Sequence, residues 1–142
     1  AEHAAYAALE LRYRLIPYLH RACEQAAATG LPVQRAMVLA FPQDRAAWAF
    51  ENQFMCGDDL LVAPCTNAEG TVEVYLPSVE GGWVRFPGGG APYDGGRVHR
   101  MTLALHETAV FARAGARIPL GPAVQHTGEL GASPRVEGHW TT

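Results

Sequence analysis

The chain has 142 residues, a net charge of −3, and a composition of 49% hydrophobic and 18% charged residues, which excludes a disordered or collagen-like sequence. The length suits about one domain or parts of two and falls short of a complete (β/α)₈ barrel, which takes about 250 residues. All the basic residues are arginine and form no basic run, so the sequence offers no electrostatic footprint for nucleic acid. No apolar run reaches membrane-spanning length.

Cys23, Cys56 and Cys65 are odd in number and share no close spacing, which favours a reduced and hence cytoplasmic setting over a disulfide framework. The chain starts Ala1-Glu2-His3, with no basic leader and no initiator Met, so it is expected to begin inside a longer protein.

Residues 2–27 give an amphipathic helix. Leu11, Leu15, Tyr18, Leu19, Ala22, Cys23 and Ala26 fall on one half of the wheel, and Glu2, Glu10, Arg14, Arg21 and Glu24 on the other. Pro17 lacks the N–H that would bond the Tyr13 carbonyl, so a kink or break is expected there. Gly30 follows as a helix-ending residue, with Pro32 behind it. Arg12 falls on the apolar half. A buried pair with Asp44, Glu51, Asp58 or Asp59 is therefore expected, with a ligand contact or a break at Pro17 that turns it outward as the alternatives.

Residues 33–41 form a near-continuous apolar run, which suits a strand buried on both faces of a parallel sheet. Asp44 follows the turn Pro42-Gln43 and is placed to cap a short helix over residues 45–52. From residue 58 the pattern changes to short strands, expected at 59–64, 71–76, 82–86, 98–104, 108–113 and 116–120, separated by Gly and Pro turns. This spacing indicates an antiparallel sandwich. The stretch from about residue 123, with Gly128, Gly131, Pro134 and Gly138, reads as a loose tail.

Chemistry-bearing motifs are sparse. There is no G-x-S-x-G and no lysine for a phosphate-binding loop. His99 and His106 have no ligand spacing, so no metal or cofactor is expected. Asp58-Asp59 is an adjacent carboxylate pair whose side chains would diverge on entering a strand, which suits a turn better than acid–base work. Glu51-Asn52-Gln53 could contact a ligand but reads first as a helix-end cluster. Trp48, Trp83, Trp140, Tyr75 and Tyr93 could stack on sugar rings, although Trp83 and Tyr75 sit at strand positions that suit a core.

Several segments together resemble a known family. Leu11-Arg12-Tyr13-Arg14-Leu15-Ile16-Pro17-Tyr18-Leu19 is similar to the L-R-Y-R-L-L-P-Y-L helix of glycoside hydrolase family 31, the α-glucosidases, α-xylosidases and their relatives. Gly30-Leu31-Pro32-Val33-Gln34-Arg35 resembles the family's G-L-P-V-x-R. Gln53-Phe54-Met55-Cys56-Gly57, followed by Leu60-Leu61-Val62-Ala63-Pro64, resembles Q-F-M-x-G-x-x-L-L-V-A-P. Val74-Tyr75-Leu76-Pro77 with Gly82-Trp83 and Val110-Phe111-Ala112-Arg113-Ala114-Gly115 through Ile118-Pro119-Leu120-Gly121-Pro122 continue the likeness in order. Val124–Glu129 leans toward the α-xylosidase-like branch. Cys65, Ala112 and the loop 85–90 depart from the family pattern.

The resemblance implies a mixed fold: residues 1–56 as the last helix–strand–helix portion of a catalytic (β/α)₈ barrel, and residues 57–142 as the following all-β antiparallel sandwich. It implies a retaining α-glycosidase whose two catalytic Asp residues and sugar-binding Trp, Arg and His residues lie upstream. No catalytic or substrate-binding residue can be carried over. Asp44, where the last barrel strand would end, is the one candidate rim contact. The implied partners are a carbohydrate substrate held by the whole parent and the preceding part of its barrel, with a homo-oligomer possible. The alternative is a free-standing carbohydrate-binding sandwich, which would have no use for a barrel unit at its front.

Overall fold

A computed structural model describes residues 2–131 and 134–142. Helix α1 (Glu2–Arg14) and helix α2 (Ile16–Thr29) form the leading segment. Leu15 separates the helices with ψ −3°, although its N–H still bonds the Leu11 carbonyl and its carbonyl accepts the Leu19 N–H, and Pro17 takes an early position in α2, where its missing N–H costs little. Gly30 ends α2 with φ 78°, and its N–H bonds the Ala26 carbonyl.

Two compact units divide the chain. The first joins residues up to Pro32 with Arg117–Thr141, and the second runs from Val33 to Ala116.

In the first unit, α2 packs on strand β8 (Arg117–Leu120), which pairs antiparallel with β9 (Gly138–Thr141). The tail from residue 123 is therefore not loose as expected. Gly138–Thr141 aligns with β8 so that Ile118 faces Trp140, and Glu137 N–H bonds the Leu120 carbonyl. The Gly121 N–H also reaches back to the Arg14 carbonyl at 2.8 Å. Ala132 and Ser133 of this tail lie outside the described residues, as does Ala1.

Arg12 is exposed, against the expectation of a buried pair. Helix α1 buries none of its residues, so nothing forces the guanidinium out of water.

The second unit is a two-layer antiparallel β-domain. Its larger sheet has the order β1-β2-β3-β7-β5, built from β1 (Gln34–Ala36), β2 (Phe54–Cys56), β3 (Leu60–Ala63), β5 (Trp83–Arg85) and β7 (Ala109–Arg113). A second sheet pairs β4 (Thr71–Leu76) with β6 (Arg97–Thr102). Between them lies one core that includes Met55, Leu61, Val74, Leu76, Trp83 and Phe111. The six strands expected downstream of residue 58 all form, each within two residues of its expected start.

The expectation for residues 33–41 is corrected. Only Gln34–Ala36 is strand; it runs antiparallel to β2, with Gln34 and Ala36 exposed and Arg35 buried. Met37–Ala40 then makes one helical turn, α3. The apolar run thus serves a strand end and a turn rather than a parallel strand covered on both faces. The boundary expected after residue 56 is corrected for the same reason. It would cut the larger sheet, since Ala36 pairs with Phe54 and β2 continues through the Gly57–Asp59 turn into β3.

Candidate functional site

Asp44 is the one sequence-derived site residue, and it lies in the second unit on a shallow groove of about 540 Å³. Phe41, Pro42, Gln43, Tyr75 and Ser78 help to line it. The chain turns sharply here because Pro42 stops α3 and the Asp44 N–H bonds the Phe41 carbonyl. The expected helix over 45–52 shortens to a 3₁₀ turn at Ala47–Ala49. Asp44 does not cap it, since Ala46 holds the N-cap position without a side-chain bond; instead Asp44 Oδ1 accepts the Ala46 N–H at 3.2 Å in the turn just before it.

The other Asp44 oxygen is engaged as well. Oδ2 accepts the Tyr75 hydroxyl at 2.8 Å. The Tyr75 ring stacks on Phe50, with centroids 5.4 Å apart. Burial of the phenol, followed by its bond to Asp44 and the nearby negative charge, pushes the Tyr75 pKa up to about 12. Tyr75 is therefore a neutral donor locked onto a carboxylate. Among the residues lining the groove Asp44 is the sole carboxylate, so the groove offers hydrogen-bond acceptors and an apolar wall but no pair of acids.

The remaining candidates serve the fold. Asp58 and Asp59 sit in the β2–β3 turn. Asp58 Oδ1 accepts from Arg35 Nη1 at 2.6 Å, the Asp58 carbonyl accepts Arg113 Nε at 2.7 Å, and the Asp59 carbonyl accepts the Arg113 N–H at 3.0 Å. The Arg113 guanidinium lies over both the Phe41 and Trp83 rings, 5.1 and 5.4 Å from their centroids.

Glu51 and Asn52 are exposed, whereas Gln53 is buried and uses both ends of its amide. Nε2 donates to the Tyr75 carbonyl at 2.7 Å, and Oε1 accepts the Tyr75 N–H at 2.9 Å. Trp83 is in the core with its indole N–H on the Pro77 carbonyl, and Trp48 is half exposed. His99 bonds the Asp94 carbonyl. Among the described residues no three His, Cys, Asp or Glu side chains gather as a metal site.

Sequence reasoning missed the Asp44–Tyr75 and Arg35–Asp58 pairs. Their members are 31 and 23 residues apart, and the only trace of them is that Arg35, Asp58 and Tyr75 lie within or beside the segments that carry the family resemblance.

In the second unit, two antiparallel sheets around one core define an all-β domain. Residues 30–118 match the model of the glycosyl hydrolase family 31 C-terminal domain, and the chain belongs to that family. It is 34% identical over 116 residues to an isomaltosyltransferase of Sporosarcina globispora, covering 81% of this chain and 10% of that protein. An α-xylosidase of Saccharolobus solfataricus is 34% identical over 79% of this chain and 15% of its own length. A dextranase of this family from Flavobacterium johnsoniae superimposes with a TM-score of 0.85 at 34% identity, over 94% of this chain and 16% of that one. The chain thus spans about a tenth to a sixth of the length of these relatives.

Proposed function

We propose that this chain is the C-terminal portion of a retaining α-glycosidase that hydrolyses α-linked glucosides or xylosides. In this reading the β-domain supports the catalytic barrel and the chain lacks the catalytic carboxylates. The observation that carries it is the family match over residues 30–118, combined with coverage of no more than about a sixth of the relatives compared. The helical stretch before residue 30 is then the portion that belongs to the barrel, a shorter share than residues 1–56. Its support is that the family match starts at residue 30 and that β1 pairs within the larger sheet.

Retaining hydrolysis takes two carboxyl groups about 5–5.5 Å apart flanking one bond, one as nucleophile and one as acid, then base. Both are assigned to the parent's upstream barrel strands. Asp44 is the rim candidate of this chain. With its oxygens pinned by Tyr75 and the Ala46 N–H, it presents a fixed acceptor to a sugar hydroxyl.

The test has two arms. The chain 1–142 is assayed on aryl α-glucoside and α-xyloside substrates beside Asp44→Ala and Asp58→Ala variants, and no turnover is expected. Turnover that disappears in either variant would overturn the assignment of the carboxylates to the upstream barrel. In the second arm, the reading frame upstream of Ala1 is expected to encode a W-x-D-type nucleophile motif. A frame that closes without one would favour a free-standing module.

A further inference from the structure

The β4–β6 ladder leaves one edge of β4 facing outward. Leu103 N–H bonds the Gly70 carbonyl, and Thr71 through Leu76 pair with Thr102 through Arg97. Hydrogen-bonded positions alternate along an antiparallel pair, so Val72 and Val74 bond toward β6 while Thr71, Glu73 and Tyr75 turn away from it. Two carboxamides close this edge at its ends. Gln53 takes both the N–H and the C=O of Tyr75. Asn67 does the same for Thr71, its Oδ1 accepting the N–H at 3.1 Å and its Nδ2 donating to the carbonyl at 2.6 Å. Glu73 lies between them, its backbone donor and acceptor directed at the edge, with no protein partner among the described residues.

This edge is one wall of a groove of about 510 Å³, within the ~300–1,000 Å³ range of small-molecule sites. Phe50, Glu51, Asn52 and Arg100 also line it. We propose that this groove binds a neutral saccharide, separate from the Asp44 groove.

The chemistry selects that class. An added peptide strand would need several successive edge positions, and the two amides leave only one. Three glutamates (Glu51, Glu69 and Glu73) against the single cation Arg100 oppose phosphates and other anions. A hydroxyl both donates and accepts, so vicinal hydroxyls can satisfy the Glu73 N–H and C=O, the carboxylates, Asn52 and Arg100 together. Phe50 offers an apolar surface to the C–H face of a sugar ring.

The test is titration of the ¹⁵N-labelled chain with maltotriose and cellotriose, and separately with a tetra-arginine peptide, read by amide shifts. Saturable saccharide-dependent shifts at Asn52, Glu73 and Arg100 are expected. Arg100→Ala should weaken binding about fivefold or more, as should Glu73→Pro, which deletes an N–H outside the ladder. Arg100→Ala, on an exposed position of β6, decides the matter if the proline variant does not fold. The proposal is overturned if neither saccharide moves these amides, if the shifts centre on Asp44 and Ser78, or if tetra-arginine binds this groove in their place. Because binding rather than turnover is read, the outcome is independent of where the parent's catalytic carboxylates lie.

Discussion

Arg35 donates to Asp58 across 2.6 Å, with the guanidinium side chain 8% exposed and the carboxylate side chain 55% exposed. The pair ties β1 to the β2–β3 turn from inside the sheet to its rim. The two ends are unequal: the cation has left water and the anion has not. Asp58→Ala should therefore be costlier than removal of the cation, by about 2–4 kcal/mol, because it leaves a buried guanidinium short of an acceptor. Arg35→Met removes the charge and keeps most of the bulk, and should cost about 0–2 kcal/mol. Urea denaturation of both variants checks the order, and the reverse order would place the pair's contribution elsewhere.

The Asp44–Tyr75 bond carries a pH signature. The phenol titrates near 10 when unfolded and near 12 in the fold. Between these values the unfolded chain has lost a proton that the native chain keeps, so stability falls as pH rises through that window. Below pH 10 the contribution is fully present. Denaturation midpoints between pH 9 and 11.5 should show a decline that Tyr75→Phe flattens. Difference ultraviolet titration of wild type against Tyr75→Phe should show the Tyr75 phenol ionising near pH 12. A difference centred near pH 10 would mean that Asp44 does not hold the phenol.

What the residue pattern disclosed and what it hid differ by range of interaction. Strands β3 to β8 were legible because each is a short β-branched or aromatic run bounded by Gly, Pro or Asn, and that information is local. Gly30 was legible as a helix end and Asp44 as a turn residue for the same reason. β2 and β9 were not, and β1 was expected as part of a longer parallel strand, because each owes its form to a partner about twenty residues away in sequence. Arg12 was misplaced because a wheel drawn through Pro17 shows an apolar half but not whether anything covers it. Gln53 was read as a ligand-facing or helix-end residue; its actual partner, the Tyr75 backbone, lies 22 residues on, where no periodicity points.

Gln53 should be among the least replaceable polar residues of the β-domain. It is 4% exposed and satisfies a buried N–H and a buried C=O at once. Gln53→Ala removes both bonds and strands both groups, which should cost about 2–4 kcal/mol. Gln53→Glu retains the shape but sets a carboxylate oxygen against the Tyr75 carbonyl, so at neutral pH it should rescue little. Protonation of the new acid restores a donor, so the deficit of this variant relative to wild type should shrink as pH falls toward 5. Thermal denaturation at pH 5 and pH 7 measures it, and a deficit that does not change with pH would mean that the amide donor is dispensable.

Helix α1 presents the opposite case. It has thirteen residues and buries none of them, and Tyr6 and Leu9 are 67% and 56% exposed. Isolated helices of this length are marginal in water, because the nucleation cost is offset by only a few turns of backbone bonds. Helix α2 differs: it buries Pro17, Tyr18 and Ala22 and packs on β8. In the isolated chain, amides of α1 should therefore exchange with solvent at close to unfolded rates, while those of α2 and of the central strands β3 and β7 are protected. The Gly121 N–H, which bonds the Arg14 carbonyl at the end of α1, should mark the limit of protection. Deletion of residues 1–11 should then leave the melting temperature of the remaining chain nearly unchanged. Protection of α1 equal to that of α2 at a dilution that excludes self-association would show that its apolar residues find cover within this chain, and would remove the reason for assigning them to a barrel that lies outside it.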